Sequence, residues 1–256
     1  MTPWDTRALL RALGAASLGL VVVWLVTAAS DEGQLTIGAR AGRTLPIAPL
    51  CSAVGAALAL GTARVKQEAL AFEALGRSPA ETGRAAAFGA AIPSLLVAIM
   101  IGLVPSIDVG AFFPRAAGGD TFVHTAEGFS SPSLGVAIDT DGETRPLATV
   151  REPEDSALPR GARVSAAIAT GLAGLALSLV AARASLRRSL LDRQARRRMR
   201  IVAAGEGIAC TVAMLVLFQS AAAKVAPAAL AALPPAALLA LAALRLRDLR
   251  PGARSS

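Results

Sequence analysis

Long apolar segments are the feature that most constrains how this chain can fold. Six stretches of about 19 residues with few or no charges recur along it, and each is long enough to cross a hydrocarbon core of about 30 Å. Hydrophobic residues make up 54% of the chain and charged residues only 17%, a combination that a soluble domain of this size rarely reaches. The sequence therefore predicts a polytopic α-helical membrane protein with six spans, at roughly 12–29, 45–63, 85–103, 164–182, 201–222 and 227–244.

The basic residues are distributed unevenly between the loops. With the N-terminus inside, the inner loops hold 18 Lys and Arg residues and the outer segments hold 8; the inner loops are 1–11, 64–84, 183–200 and 245–256. By the positive-inside rule, both termini are expected to be cytoplasmic. The chain has a net charge of +8, but its basic residues concentrate in particular loops rather than over a soluble face, so no nucleic-acid partner is expected.

The first span can also be interpreted as a cleaved signal peptide. Arg7 and Arg11 precede its apolar core, and small residues follow the core at 26–28. Retention as an anchor is favoured, because five more spans follow and an even total places both ends of the chain inside. Residues 30–44 are then expected to form a short outer loop.

The chain divides into three parts. Residues 1–103 and 164–256 are two membrane halves of three spans each, and residues 104–163 lie between them. This middle segment is locally acidic, with nine carboxylates against five arginines. Three short strands around a turn at 139–143 are expected in it, at 121–125, 134–138 and 144–150. The sequence thus predicts a 3+3 arrangement with a small β-rich extracytoplasmic lobe, followed by a linker at 151–160.

The polar stretch 64–84, between the second and third spans, predicts a rigid helical elbow. Gly76 suits the left-handed conformation that ends a helix, and Ser-Pro-Ala-Glu at 78–81 is a capping box that starts the next one. The helix before this glycine carries three residues on one face, at the spacing i, i+4 and i+7: Glu68, Phe72 and Leu75.

A rigid elbow between two spans can transmit force from a soluble partner into the membrane. Phe72 would serve as an aromatic contact, and Glu68 would pair with an arginine of the partner. The alternative is an amphipathic helix that rests on lipid headgroups at the membrane surface.

Two patches of the chain resemble the lipopolysaccharide-export permeases (the LptF/LptG family), which are half-permeases of an ABC exporter. Thr-Leu-Pro-Ile-Ala-Pro-Leu at 44–50, followed by Glu68-x7-Gly76-x-Ser78, is similar to the family's second span and coupling helix. The run 219–235 is similar to its turn between the fifth and sixth spans. The three-plus-three layout with an outer β-domain also matches.

The resemblance implies a function, a location and partners. It implies a permease subunit of the cell inner membrane that moves lipopolysaccharide or a related amphiphilic lipid, together with a second permease subunit and a separate ABC ATPase. Glu68 would contact that ATPase, and Gly76 would be the hinge that follows. The outer segment of 60 residues is much shorter than the family's β-jellyroll, which indicates a divergent member with a shortened outer domain.

The chain contains no motif that would let it hydrolyse a nucleotide itself. The Gly-x4-Gly-Lys-[Ser/Thr] loop is absent: neither of the two lysines follows a glycine, because Lys66 comes after Val65 and Lys224 after Ala223. The spans show no catalytic His/Asp/Glu cluster, so neither an enzyme nor a cofactor or metal is expected. The alternative to a permease is a non-transporting scaffold or sensor whose acidic outer lobe binds a protein partner.

Several charged residues at the ends of spans have two interpretations each. Arg40, Arg43 and Lys224 could contact phosphates of an anionic lipid, or they could be ordinary interfacial residues. The eight arginines of 183–200 could anchor the topology or form a second docking surface. Glu206, near the inner end of the fifth span, is expected to be a snorkelling or salt-bridged boundary residue, with a gating or proton-linked role as the alternative.

Overall fold

The computed structural model describes residues 2–31, 35–113, 123–125, 128–131, 136–146, 158–186 and 193–247. Six helices in this part are long and apolar enough to cross a membrane, judged by length and composition, which confirms the prediction of six apolar helices and indicates a multi-pass membrane protein. Their bounds are Pro3–Ser30, Ile37–Gly61, Pro79–Leu103, Ala162–Leu186, Arg197–Ala222 and Ala228–Arg245.

The α-helices and strands follow one another in a simple order. The helices are α1 Pro3–Ser30, α2 Ile37–Thr44, α3 Ala48–Gly61, α4 Ala63–Ala74, α5 Pro79–Leu103, α6 Ala162–Leu186, α7 Arg193–Ala222 and α8 Leu233–Arg247. Between α5 and α6 lie β1 Val123–Thr125, β2 Gly128–Ser131, β3 Val136–Asp139 and β4 Thr144–Pro146. A short 3-10 turn at 45–47 joins α2 to α3. Two more 3-10 turns lie at 110–112, after α5, and at 228–232, before α8.

Helices α1, α3, α5 and α6 pack closely because small residues lie where they cross. A Cβ atom added at Gly89 of α5 would lie 2.4 Å from the carbonyl oxygen of Leu9, so only glycine allows α1 this close. Where α3 meets α5, the hydroxyl oxygens of Ser52 and Ser94 are 2.7 Å apart, and both side chains are fully buried. The hydrogen bond satisfies two polar groups inside an otherwise apolar bundle.

Helices α1 and α7 expose most of their apolar surface. Only 11% of the most apolar stretch of each is buried, against 61% in α6. Large aliphatic side chains such as Leu18 of α1 and Ile208 of α7 are therefore exposed. In a membrane, these faces would contact lipid or another protein.

The four strands form one antiparallel sheet in the order β1-β2-β3-β4. The turn predicted at 139–143 is confirmed: the Gly142 N–H donates to the Asp139 carbonyl at 2.9 Å, and Gly142 has φ +80°. Strand β2 was not predicted, because its sequence Gly-Phe-Ser-Ser lacks β-branched residues. The ends of the predicted strands at 121–122, 134–135 and 147–150, and most of the predicted linker (151–157), lie outside the described residues.

Two segments expected to be loops are partly helical. Residues 37–44 form α2 instead of belonging to an outer loop, because Thr36 caps the helix by accepting a hydrogen bond from the Ala39 N–H. In the basic segment 183–200, α6 continues to Leu186 and α7 begins at Arg193. Residues 187–192 lie outside the described part of the chain.

Candidate functional site at the helical elbow

Helix α4 ends in a Schellman motif. The Gly76 N–H donates to the Glu73 carbonyl at 3.0 Å, and the Arg77 N–H donates to the Phe72 carbonyl at 2.9 Å. Gly76 has φ +87°, the left-handed conformation that glycine adopts without steric conflict. The predicted helix end at Gly76 is confirmed.

Helix α5 begins in the predicted capping box. The Ser78 hydroxyl accepts from the Glu81 N–H at 3.3 Å, and the Glu81 carboxylate accepts from the Ser78 N–H at 3.1 Å. Pro79 occupies the first helical position, where its missing N–H is of no consequence. Hydrogen bonds thus satisfy backbone groups on both sides of the bend between α4 and α5.

The N-terminus of α1 fixes the elbow in place. Asp5 forms an ion pair with Arg77, whose guanidinium also lies 5.6 Å from the ring centres of both Trp4 and Phe72. The two aromatic rings meet edge to face at 5.6 Å. Thr2 caps α1 and also bonds Asp5. These contacts connect α1, α4 and α5 at one end of the bundle.

Trp4 and Asp5 are site residues that were not predicted from the sequence. A signal for them was present, because Thr-Pro-Trp-Asp at 2–5 has the form of a capping box with proline at the first helical position. That pattern would have started α1 at Pro3. It would not have shown that Arg77 is the partner of Asp5, since the two residues are far apart in sequence.

Phe72 is half-buried in a contact inside the chain. It lies on the same face of α4 as Val65 and Ala69, which are both buried, and it packs against Trp4. Phe72 is thus half-buried against Trp4, and its contact with a partner stays a prediction. Leu75, at the end of α4, is instead 82% exposed and forms the apolar tip of the elbow.

Glu68 remains at the surface, with a partner inside the chain. The Arg64 Nε donates to the Glu68 Oε1 at 3.1 Å, one helical turn apart along α4. Glu68 also borders a small crevice that Arg7 and Arg11 of α1 help to line. The side chain that was expected to bind an arginine of a partner thus lies among arginines of its own chain.

Two open clefts of similar size flank the elbow. The first, of about 480 Å³, lies between α3, α6 and α7 and is almost wholly apolar, with Lys66 and Arg200 as its two cationic residues. The second, of about 470 Å³, lies between α1 and α5 and combines charged with apolar side chains; it is lined by Asp5, Leu9, Arg77, Glu81, Arg84, Ala85 and Phe88.

Arg40 and Arg43 share a carboxylate at the opposite end of α1. The Arg40 Nε donates to Asp31 at 3.0 Å, while an Arg43 nitrogen lies 3.7 Å from the other Asp31 oxygen. The Arg40 side chain is only 17% exposed and its guanidinium lies 5.9 Å from the Trp24 ring centre, whereas the Arg43 side chain is 59% exposed. Of the two, Arg43 is the more accessible to a phosphate.

Lys224 lies in the turn after α7 and is exposed. The Lys224 N–H donates to the Ala221 carbonyl at 3.1 Å and the Val225 N–H donates to the Ser220 carbonyl at 3.0 Å, which is again a Schellman motif. Lys224 has φ +59°, a conformation that normally favours glycine.

Glu206 is ion-paired, as the favoured interpretation predicted. Its carboxylate accepts from Arg245 of α8 rather than from the neighbouring Arg200. The pair joins α7 to α8 near the elbow end of the bundle, where α8 finishes.

Arg163 caps the end of α5, a role that was not predicted from the sequence. Its guanidinium donates to four carbonyl oxygens at the end of α5 and just beyond it, those of Ile101, Val104, Pro105 and Ile107, at 2.7–3.0 Å. A cation at this position satisfies the last carbonyls of α5 and complements the negative end of its dipole. It holds the start of α6 against the end of α5.

Among the described residues, no group of three or more His, Cys, Asp or Glu side chains is placed to hold a metal ion. Comparison with known proteins adds no identification: no family model, no curated protein and no solved structure matches this chain. The resemblance to the lipopolysaccharide-export permeases therefore rests on the two sequence patches and on the predicted three-plus-three layout.

Proposed function

We propose that this chain is a permease subunit of an ABC-type exporter and that a separate ATPase docks on the elbow. The observation that carries the proposal is Leu75, an apolar side chain 82% exposed at the tip of a bend whose backbone is fixed on both sides. An exposed apolar side chain on a rigid support is suited to insertion into a groove of a soluble partner.

Movement of such a partner would reach two spans at once. The Schellman motif and the capping box join α4 to α5, and the ion pair between Arg77 and Asp5 joins the bend to α1. Both helices continue into the central bundle, where α5 packs on α6. A displacement of Leu75 would therefore move α1 and α5 as a unit.

The remaining features of the proposal concern lateral partners and cargo. The exposed apolar faces of α1 and α7 would contact lipid and a second permease subunit, either a copy of this chain or a different one. The two subunits would enclose a cavity for lipopolysaccharide or a related amphiphilic lipid. In the inner membrane, the elbow and both termini would be cytoplasmic, the two sets of three spans would flank the outer sheet, and this chain would hydrolyse no ATP itself.

The test uses the ion pair within α4. Glu68→Lys removes a pair that, being exposed, contributes only about 0.3–0.5 kcal/mol, so the protein should still fold and insert. The double variant Arg64→Glu/Glu68→Arg keeps the internal pair but moves the negative charge to position 64. If the ATPase requires the anion at position 68, both variants should fail to bind the ATPase.

The readout is co-purification of a nucleotide-binding subunit from detergent extracts, together with the ATP hydrolysis of the eluate. Retention of both in the two variants would remove Glu68 from the docking surface. Leu75→Glu should abolish co-purification on its own. If no nucleotide-binding subunit accompanies even the unmodified protein, the permease proposal fails and the scaffold or sensor with an acidic outer lobe takes its place.

A further inference from the structure

The cleft between α3, α6 and α7 combines an apolar length with a cationic end. Its walls are aliphatic and come from all three helices: Leu50 and Val54, Leu177 and Val180, and Ala204 and Ile208. A volume of about 480 Å³ lies within the range of about 300–1,000 Å³ that is typical of small-molecule sites. Leu50, Val54 and Ile208 are also exposed, so in a membrane this cleft would be open to lipid.

Both cations line the elbow end of this cleft. Lys66 is in the first turns of α4, directly after α3 ends at Gly61, and Arg200 is in the part of α7 that lies beside the last turns of α6. Within the part of the chain that the structure describes, neither side chain forms an ion pair. Two cations that have no ion-pair partner among the described residues, at the end of an apolar cleft, suit an anion joined to a hydrocarbon chain.

We propose that this cleft binds a phospholipid of the leaflet on the elbow side. Lys66 and Arg200 hold its anionic headgroup, and one acyl chain lies along α3, α6 and α7. A cation at the level of the headgroups attracts phosphate, and the arginine fork fits phosphate oxygens. The inference concerns this chain alone and does not depend on the proposed transport function.

The test compares two lipids that share the same acyl chains. Purified full-length protein in detergent is titrated with dioleoylphosphatidylglycerol or dioleoylphosphatidylcholine, and bound lipid is measured by native mass spectrometry. Lys66→Gln and Arg200→Gln should each weaken binding of the anionic lipid about fivefold, and the double variant about thirtyfold. Binding of the zwitterionic lipid should change little. Arg84→Gln, which removes an exposed arginine from the other cleft, is the matched control and should have no effect.

A second pair of variants tests the apolar part of the cleft. Ala204→Leu places a larger side chain in the cleft, whereas Ala209→Leu makes the same change at an exposed position of α7 outside it. Only the first should reduce binding of both lipids.

Three outcomes would overturn the proposal. Equal binding of the two lipids by the unmodified protein would show that the cations do not discriminate between the anionic and the zwitterionic headgroup. Glycerol phosphate binding as tightly as the whole lipid would show that the cleft holds no chain. Loss of self-association in Ala204→Leu, with lipid binding intact, would show that a second copy of the protein covers this face.

Discussion

Arg77 connects more of the elbow than any other side chain described in this region. It pairs with Asp5 and lies against the rings of Trp4 and Phe72, so a single guanidinium contacts α1 and α4 and stands immediately before α5. A planar guanidinium can pair with a carboxylate and lie against aromatic rings at the same time, whereas a lysine ammonium is a compact point charge.

Arg77→Ala should lower the free energy of unfolding by about 2 kcal/mol, because it leaves the largely buried Asp5 carboxylate without its cationic partner. Denaturant titration in mixed micelles, followed by tryptophan fluorescence, measures the change. Arg84→Ala, at an exposed position of the neighbouring helix, should have little effect. Full stability of Arg77→Lys would contradict the importance of the fork geometry.

Lys224 is a non-glycine residue in a glycine conformation, with φ +59°. Lys224→Gly should raise the free energy of unfolding by about 1 kcal/mol, because it removes the conflict between Cβ and the backbone. Ala223→Gly, one residue earlier in the same turn, should instead lower it. Thermal unfolding in detergent distinguishes the two. Destabilisation by Lys224→Gly would mean that contacts of the lysine side chain outweigh the strain.

At the scale of elements, the elbow depends on one backbone angle. Gly76 has φ +87°, and a Cβ atom there would meet nothing within 4 Å, so a substitution acts through backbone strain and not through crowding.

Gly76→Ala should lower the free energy of unfolding by about 1–2 kcal/mol and loosen the link between α4 and α5. Gly14→Ala in α1 is the matched control, because its added Cβ also meets nothing but its backbone is helical. That change should raise the free energy of unfolding by about 0.5–1 kcal/mol. Amide hydrogen exchange across 72–81 reports whether the bend has loosened. Unchanged exchange in Gly76→Ala would show that the bend does not need the left-handed residue.

The local rules of helix ends account for what could be predicted of the elbow. Ser78, Pro79 and Glu81 start a helix whatever surrounds them, and Gly76 ends one, so the bend follows from adjacent residues. The direction in which Phe72 points could not be predicted in the same way. It depends on Trp4, which is brought beside it only when α1 packs against α3 and α5.

At the scale of the whole molecule, the six apolar helices could be predicted because hydrocarbon thickness sets their length. What could not be predicted is which residues distant in sequence share one site. Lys66 and Arg200 line one cleft although two membrane spans and the sheet separate them along the chain. Arg163 contributes an outer charge to the loop count, and in the structure it also caps α5. This role could not be predicted, because its partners are backbone carbonyl groups that any sequence would supply.

The proposed orientation can be tested with two residues of equal exposure at opposite ends of the bundle. Leu75 and Val225 are each 82% exposed, so a difference in labelling reports the side of the membrane and not burial. In a background with Cys51→Ala and Cys210→Ala, a membrane-impermeant maleimide should label Val225→Cys in intact cells. It should label Leu75→Cys only after permeabilisation. The reverse pattern would place the elbow outside and exclude a cytoplasmic ATPase.

Helix α1 also gives the protein a pair of optical probes. Trp4 and Trp24 are the two tryptophans of the chain, and the chain has no tyrosine. Both lie in α1, so at 1.5 Å per residue their indoles are about 30 Å apart. This distance matches the thickness of a bilayer interior. Each indole lies near an arginine, Arg77 at one end and Arg40 at the other. Replacing either indole with phenylalanine leaves an emission spectrum that monitors a single face of the membrane, without any attached dye.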